Sequence, residues 1–164
     1  SPNVGISVSD KTIMAWVKLG STSQTGGGLV ALQNNGGSVF DAIVYNETGS
    51  GWGFGSDGFN RTTWSGVLET RTDEWVHMAA SYEASSYKMY RNGIQIHSGS
   101  WGIVTYATDA IFTSAIRHVG GGSPYLTAKI ADSRLYNSVL TASQISTIVR
   151  NGFGGGLLTT ICAM

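Results

Sequence analysis

Short runs of strand-forming residues, each closed by glycine or by Asn-Gly, constrain this chain more than any other feature. Glycine occurs 23 times in 164 residues, whereas proline occurs only at Pro2 and Pro124. Strand-type runs at this spacing, separated by turn residues, predict an all-β sandwich or barrel. Lys11 to Leu19 (KTIMAWVKL) places Ile13, Ala15, Val17 and Leu19 on one face and Met14, Trp16 and Lys18 on the other. Both faces are partly apolar, which predicts a strand inside a sheet rather than at its edge. Gly28 to Gln33 and Val39 to Tyr45 read as the next two strands, joined through the turn residues Asn34 to Gly37. Gly49 to Asn60 is glycine-rich, with Trp52, Phe54 and Phe59 interspersed, and reads as a weak strand between mobile loops.

The clearest local signal is Asn92-Gly93, between Tyr87 to Arg91 and Ile94 to His97. Both central residues of a type I′ turn need positive φ, so Asn-Gly between strand runs predicts a hairpin. Trp75 to Tyr82, Ala110 to Val119 and Thr127 to Tyr136 read as further strands. The period then changes. Thr141 to Arg150 (TASQISTIVR) carries Ile145, Ile148 and Val149 at helical spacing, with Thr141 as N-cap, Gln144 at the capping-box position and Asn151-Gly152 as the stop. The domain is expected to span residues 1–152, with 153–164 as a glycine-hinged, strand-competent tail.

Charge narrows the function classes. Ten Lys and Arg balance ten Asp and Glu, and charged residues make up 12% of the chain, about half the ~25% of an average soluble domain. A neutral chain lacks the cationic excess that neutralises phosphates, which argues against nucleic acid as a partner. No apolar run is long enough to span a bilayer. The single cysteine, Cys162, allows no internal disulfide. The three histidines form no zinc-type cluster, and no serine sits in a Gly-x-Ser-x-Gly elbow. His77 reads as a core imidazole bonded to a neighbouring strand.

Three segments, in order, resemble the laminin-G-like branch of the concanavalin A-like lectin and glucanase superfamily. They are TIMAWVKL (residues 12–19), DEWVHMAASYEASSYKMYRNGIQIHSG (residues 73–99) and AKIADSRLYNSVLTASQISTIVRNG (residues 128–152). The resemblance implies a jelly-roll sandwich of two antiparallel sheets with one short helix near the C-terminus. Members commonly begin with an extra strand, for which only residues 1–10 are available here, so the expectation is a shortened edge, or a missing one that the C-terminal tail or another chain supplies. It leaves calcium open as a cofactor, with Asp132 matching an acidic position but no loop cluster of oxygen ligands beside it. Glucanases of this fold share a Glu-x-Asp-x-x-Glu strand, and Glu47, Glu69, Glu74 and Glu83 all lack the Asp two positions on. A non-enzymatic role is therefore expected.

Sugar recognition lays an apolar sugar face on an aromatic ring while Asp, Asn and backbone amides take the hydroxyls. Trp52, Asp57, Asn60 and Trp64 supply such a set, with Trp101 as a further loop tryptophan; the alternative is that these rings plug the ends of the sandwich. Two readings follow. One is a non-catalytic recognition or adhesion module, glycan-binding, displayed extracellularly or on a cell or virion surface. The other is a structural subunit of an ordered assembly, such as a phage capsid decoration or fibre, whose partners are other copies of itself.

Overall fold

The computed structural model describes residues 3–120 and 125–152. The tail at 153–164, including Cys162, lies outside the described residues. The strands are β1 (Lys11–Leu19), β2 (Gly28–Gln33), β3 (Phe40–Tyr45), β4 (Trp52–Ser56), β5 (Thr63–Trp64), β6 (Val76–Glu83), β7 (Ser86–Arg91), β8 (Ile94–Gly99), β9 (Ile111–Ser114) and β10 (Ala128–Tyr136), followed by helix α1 (Ala142–Asn151). They form two five-stranded antiparallel sheets, ordered β10-β1-β6-β7-β8 and β5-β4-β3-β2-β9. The jelly-roll type of sandwich expected from the resemblance is what the chain adopts. The shortened N-terminal edge is visible as two isolated bridges, Asn3 with Ile111 and Val8 with Tyr106.

Period-two alternation explains the core. In the first sheet Ile13, Ala15 and Val17 of β1, Met78, Ala80 and Tyr82 of β6, and Tyr87 and Met89 of β7 turn inward. They meet Ile43 and Tyr45 of β3 and Trp52 and Phe54 of β4 from the second sheet. Burying a side chain such as Phe54 contributes about 2 kcal/mol. β1 is paired on both sides, with β10 and β6, as its two apolar faces require. Its outer residue Met14 packs with Ala79, Tyr90, Leu140 and Ile145 beneath α1. Helix α1 starts where the capping box predicts: the Gln144 amide N–H donates to Thr141 Oγ1 at 3.2 Å, and Thr141 N donates to Gln144 Oε1 at 2.8 Å. The β7–β8 turn places Asn92 and Gly93 at φ of 49° and 80°.

β1 and β10 slip register between Met14 and Trp16. Asp132 sits at this bulge with φ of 54°, and its two carboxylate oxygens accept from Arg134 Nε at 2.7 Å and Nη2 at 2.6 Å. Both oxygens are thus engaged by one guanidinium, and no group of three or more His, Cys, Asp or Glu suited to a metal ion occurs among the described residues. The Asp132 position does not fit a calcium ion. His77 is buried beside this bulge, with Trp16 edge-on at 5.2 Å. Its Nδ1 has no hydrogen-bond partner, so the expected bond to a neighbouring strand is absent at that atom.

Beneath the site described below lies a buried charge cluster. Lys11 Nζ contacts Asp41 Oδ2 at 3.1 Å, Tyr106 donates to the same oxygen at 3.0 Å, and Arg61 Nη2 reaches Asp41 Oδ1 at 3.2 Å. Burial lowers the Lys11 ammonium from its ordinary value, and Asp41 opposes that shift.

Candidate functional site

The outer face of the second sheet carries small side chains: Ala31 on β2, Ala42 and Val44 on β3, and Gly53 and Gly55 on β4. Over this floor the chain after β9 doubles back as a strap, residues 115–119. Ala115, at φ of 64°, reverses the direction, and its amide donates to the Leu29 carbonyl at 2.9 Å. A Cβ on Gly28 would lie 2.3 Å from Arg117 Cα, so only glycine lets the strap approach β2 this closely. At its far end the Val119 amide donates to Gln33 Oε1 at 2.9 Å. His118 stacks on Phe40 with centroids 4.2 Å apart and planes 11° apart.

The strap, the 34–39 turn and a single 3₁₀ turn at Asp57–Phe59 enclose a cleft of about 220 Å³. Phe40, Phe59 and His118 give it aromatic walls, and Glu47, Asp57 and Arg117 give it polar ones. Phe59 is 59% exposed and holds φ of 61°. A bulky residue with positive φ is strained, and such strain concentrates where a side chain must be presented. Arg117 pairs with Glu47. Arg61 Nη2 pairs with Asp57 Oδ1 at 2.9 Å. Burial lowers the Arg117 guanidinium from its ordinary range, and its Nε lies buried with no partner.

Of the residues the sequence singled out, Asp57 lines this cleft and Asn60, exposed, follows it on the same turn. Trp64 is half-buried on β5, its ring over Gly53 and against the Ala31, Phe40, Ala42 and Val44 cluster on the same face. Trp52 is a correction. It lies on a buried strand rather than a loop, is 0% exposed, and its indole N–H donates to Glu69 Oε1; a ring with no free face cannot stack on a sugar. Trp101 lies on a loop away from the cleft, stacked on Tyr87 with centroids 5.6 Å apart and laid over Gly99, at the edge of the core. The residue is 36% exposed. Phe59, Arg117, His118 and Glu47 were not singled out, because the cleft is assembled by a strap 58 positions from the turn it faces, from Arg117 to Phe59; the positive φ at Phe59 has no sequence signal.

A family model described as the concanavalin A-like lectin/glucanases superfamily (Laminin_G_3) matches residues 1–146. The chain belongs to this family. No curated protein sequence matches it significantly. Among solved structures it is similar to domain 4 of AbnA, a GH43 extracellular arabinanase from Geobacillus stearothermophilus in complex with arabinotriose (TM-score 0.73, 21% identity, 89% of this chain and 69% of that one). It is also similar to a putative carbohydrate binding protein from Bacteroides ovatus (TM-score 0.65, 17% identity, 89% and 42%), of whose length the chain spans less than half. A third is the CBM40 of the Ruminococcus gnavus IT-sialidase bound to α2,3 sialyllactose (TM-score 0.60, 15% identity, 85% and 83%). At these identities the likeness is one of fold. No helix among the described residues is long and apolar enough to cross a membrane.

Proposed function

We propose that this member of the superfamily is a non-catalytic glycan-binding module, and that the cleft between the strap and the Asp57–Phe59 turn is its binding site. The observation that carries the reading is Phe59, exposed and held at positive φ at the mouth of a cleft whose other walls are paired charges and a stacked Phe40–His118 pair. An open aromatic ring offers a platform for the C–H face of a sugar, and the carboxylate and guanidinium groups around it take hydroxyls. Asp57, Asn60 and Trp64 belong to this proposed surface. Retaining hydrolysis needs a protonated carboxyl facing a free carboxylate. The two acidic side chains of the cleft are each engaged by an arginine instead, which favours recognition over catalysis. The carbohydrate-binding proteins that share the fold lend further support.

The module is proposed to act outside the cell or on a particle surface, as the arabinanase domain of similar fold belongs to an extracellular protein. Retention of the wild type on a glycan array, lost in Phe59→Ala and in Arg117→Ala, is the expected result. A wild-type chain that retains no glycan on the whole array refutes it.

A further inference from the structure

The charges around the cleft balance as a set, three carboxylates against three cations, with Arg61 shared between Asp57 and Asp41. Glu47 is taken by Arg117, Asp57 by Arg61, and Asp41 beneath them by Lys11 and Arg61. Arg117 and Glu47 are both largely shielded, with side chains 15% and 17% exposed. We infer that the cleft selects uncharged sugars over their sialylated or uronic-acid counterparts, with the Arg117–Glu47 pair as the specificity-determining element; this rests on the glycan-binding reading above.

The argument is one of compensation. A carboxylate ligand needs a cation with spare charge, and here it would have to draw Arg117 from Glu47 or Arg61 from Asp57. Either move strands a shielded carboxylate without its partner, which is heavily penalised away from water. An uncharged hydroxyl faces no such conflict. It donates to a carboxylate and accepts from a guanidinium at once, so it can be received by an intact pair. The unpartnered Arg117 Nε is a donor that a small rearrangement of the pair offers to a hydroxyl or ring oxygen without separating the charges.

The test is an array printed with matched pairs, each neutral oligosaccharide beside the same core carrying a sialic acid or a uronic acid, read with the wild type and with Glu47→Gln. The wild type is expected to retain neutral members about tenfold more strongly than their acidic partners, a difference of ~1.4 kcal/mol. Glu47→Gln leaves Arg117 with net charge and is expected to gain acidic ligands in a salt-sensitive manner. Thermal melting establishes that the variant is folded, and Asp57→Asn, which leaves Arg61 paired with Asp41 alone and the cluster with one positive charge in excess, serves as the second variant. Wild type that binds acidic members as well as or better than neutral ones overturns this inference while leaving glycan binding intact. Neutral preference unchanged in both folded variants overturns the role of the paired charges. No retention of any glycan overturns the underlying reading, and this inference with it.

Discussion

The indole N–H of Trp52 donates to Oε1 of Glu69 at 2.7 Å inside the sandwich. Arg91 closes the same carboxylate from the other sheet, Nε on Oε1 at 2.8 Å and Nη2 on Oε2 at 2.7 Å. Glu69 lies on the connection that crosses from β5 to β6, so one side chain ties both sheets and the crossover together. Glu69→Ala leaves Arg91 and the indole N–H without their acceptor, and is expected to cost about 3 kcal/mol in urea denaturation. Burial alone would raise the Glu69 carboxyl, but the Arg91 and Trp52 hydrogen bonds outweigh it and hold it below its ordinary 4.5. Its stabilising contribution is therefore complete above that pH and lost as pH falls through the native value. A variant as stable as the wild type at neutral pH contradicts this role.

His77 makes the protein acid-sensitive in a different window. Burial, reinforced by the Arg134 guanidinium, pushes the imidazole down from 6.5 to about 4. Between those values the unfolded chain binds a proton that the folded one does not, so stability falls as pH drops from 6.5 towards 4 and is unaffected by this group above 6.5. At ~1.4 kcal/mol per pH unit the loss approaches about 3 kcal/mol. His77→Leu cannot titrate, and its unfolding free energy is expected to fall less than the wild type's between pH 7 and pH 4.5. Parallel losses in the two proteins would remove His77 as the cause.

Phe59→Gly should separate binding from stability. Glycine accepts positive φ without the clash a Cβ makes, so the variant is expected to gain about 1 kcal/mol while glycan retention falls by roughly tenfold or more. Calorimetry and array binding on the same preparation measure both quantities. A variant that loses stability would mean that the ring is held by packing rather than presented.

Gly28→Ala tests how the strap is seated. The added methyl would meet Arg117 Cα at 2.3 Å and its N at 2.5 Å, atoms of backbone rather than of a flexible side chain. Overpacking of this kind costs about 1–3 kcal/mol, and the displaced strap carries Arg117 and His118 away from the cleft. Lower melting temperature together with weaker glycan retention is expected. Unchanged binding would show that the strap's position does not matter to the ligand.

Much of the fold was legible because its signals are local. Alternation in β1, positive φ at Asn92-Gly93 and the Thr141–Gln144 cap each occupy a few adjacent residues, and each is found where the sequence places it. β4 was harder to read. Its glycines and Gly51 just before it resemble a loop, yet a Cβ at Gly51 would meet the Val67 backbone at 2.1 Å and one at Gly53 the Trp64 ring at 2.3 Å. Those glycines answer to close approach, not to mobility, and they carry Trp52 into the core. The cleft was legible only at Asp57, with Asn60 beside it on the same turn, because Glu47, Phe59 and Arg117 converge through tertiary packing that leaves no spacing pattern along the chain.

The strap meets the outer face at two places, where Arg117 passes over Gly28 and where His118 stacks on Phe40. Nothing in it interdigitates with the inter-sheet core on the opposite side. On the proposed reading the scaffold and the recognition element are separable inheritances: exchanging residues 115–119 and 57–60 for other sequences is expected to change what is held while the inter-sheet core keeps its packing.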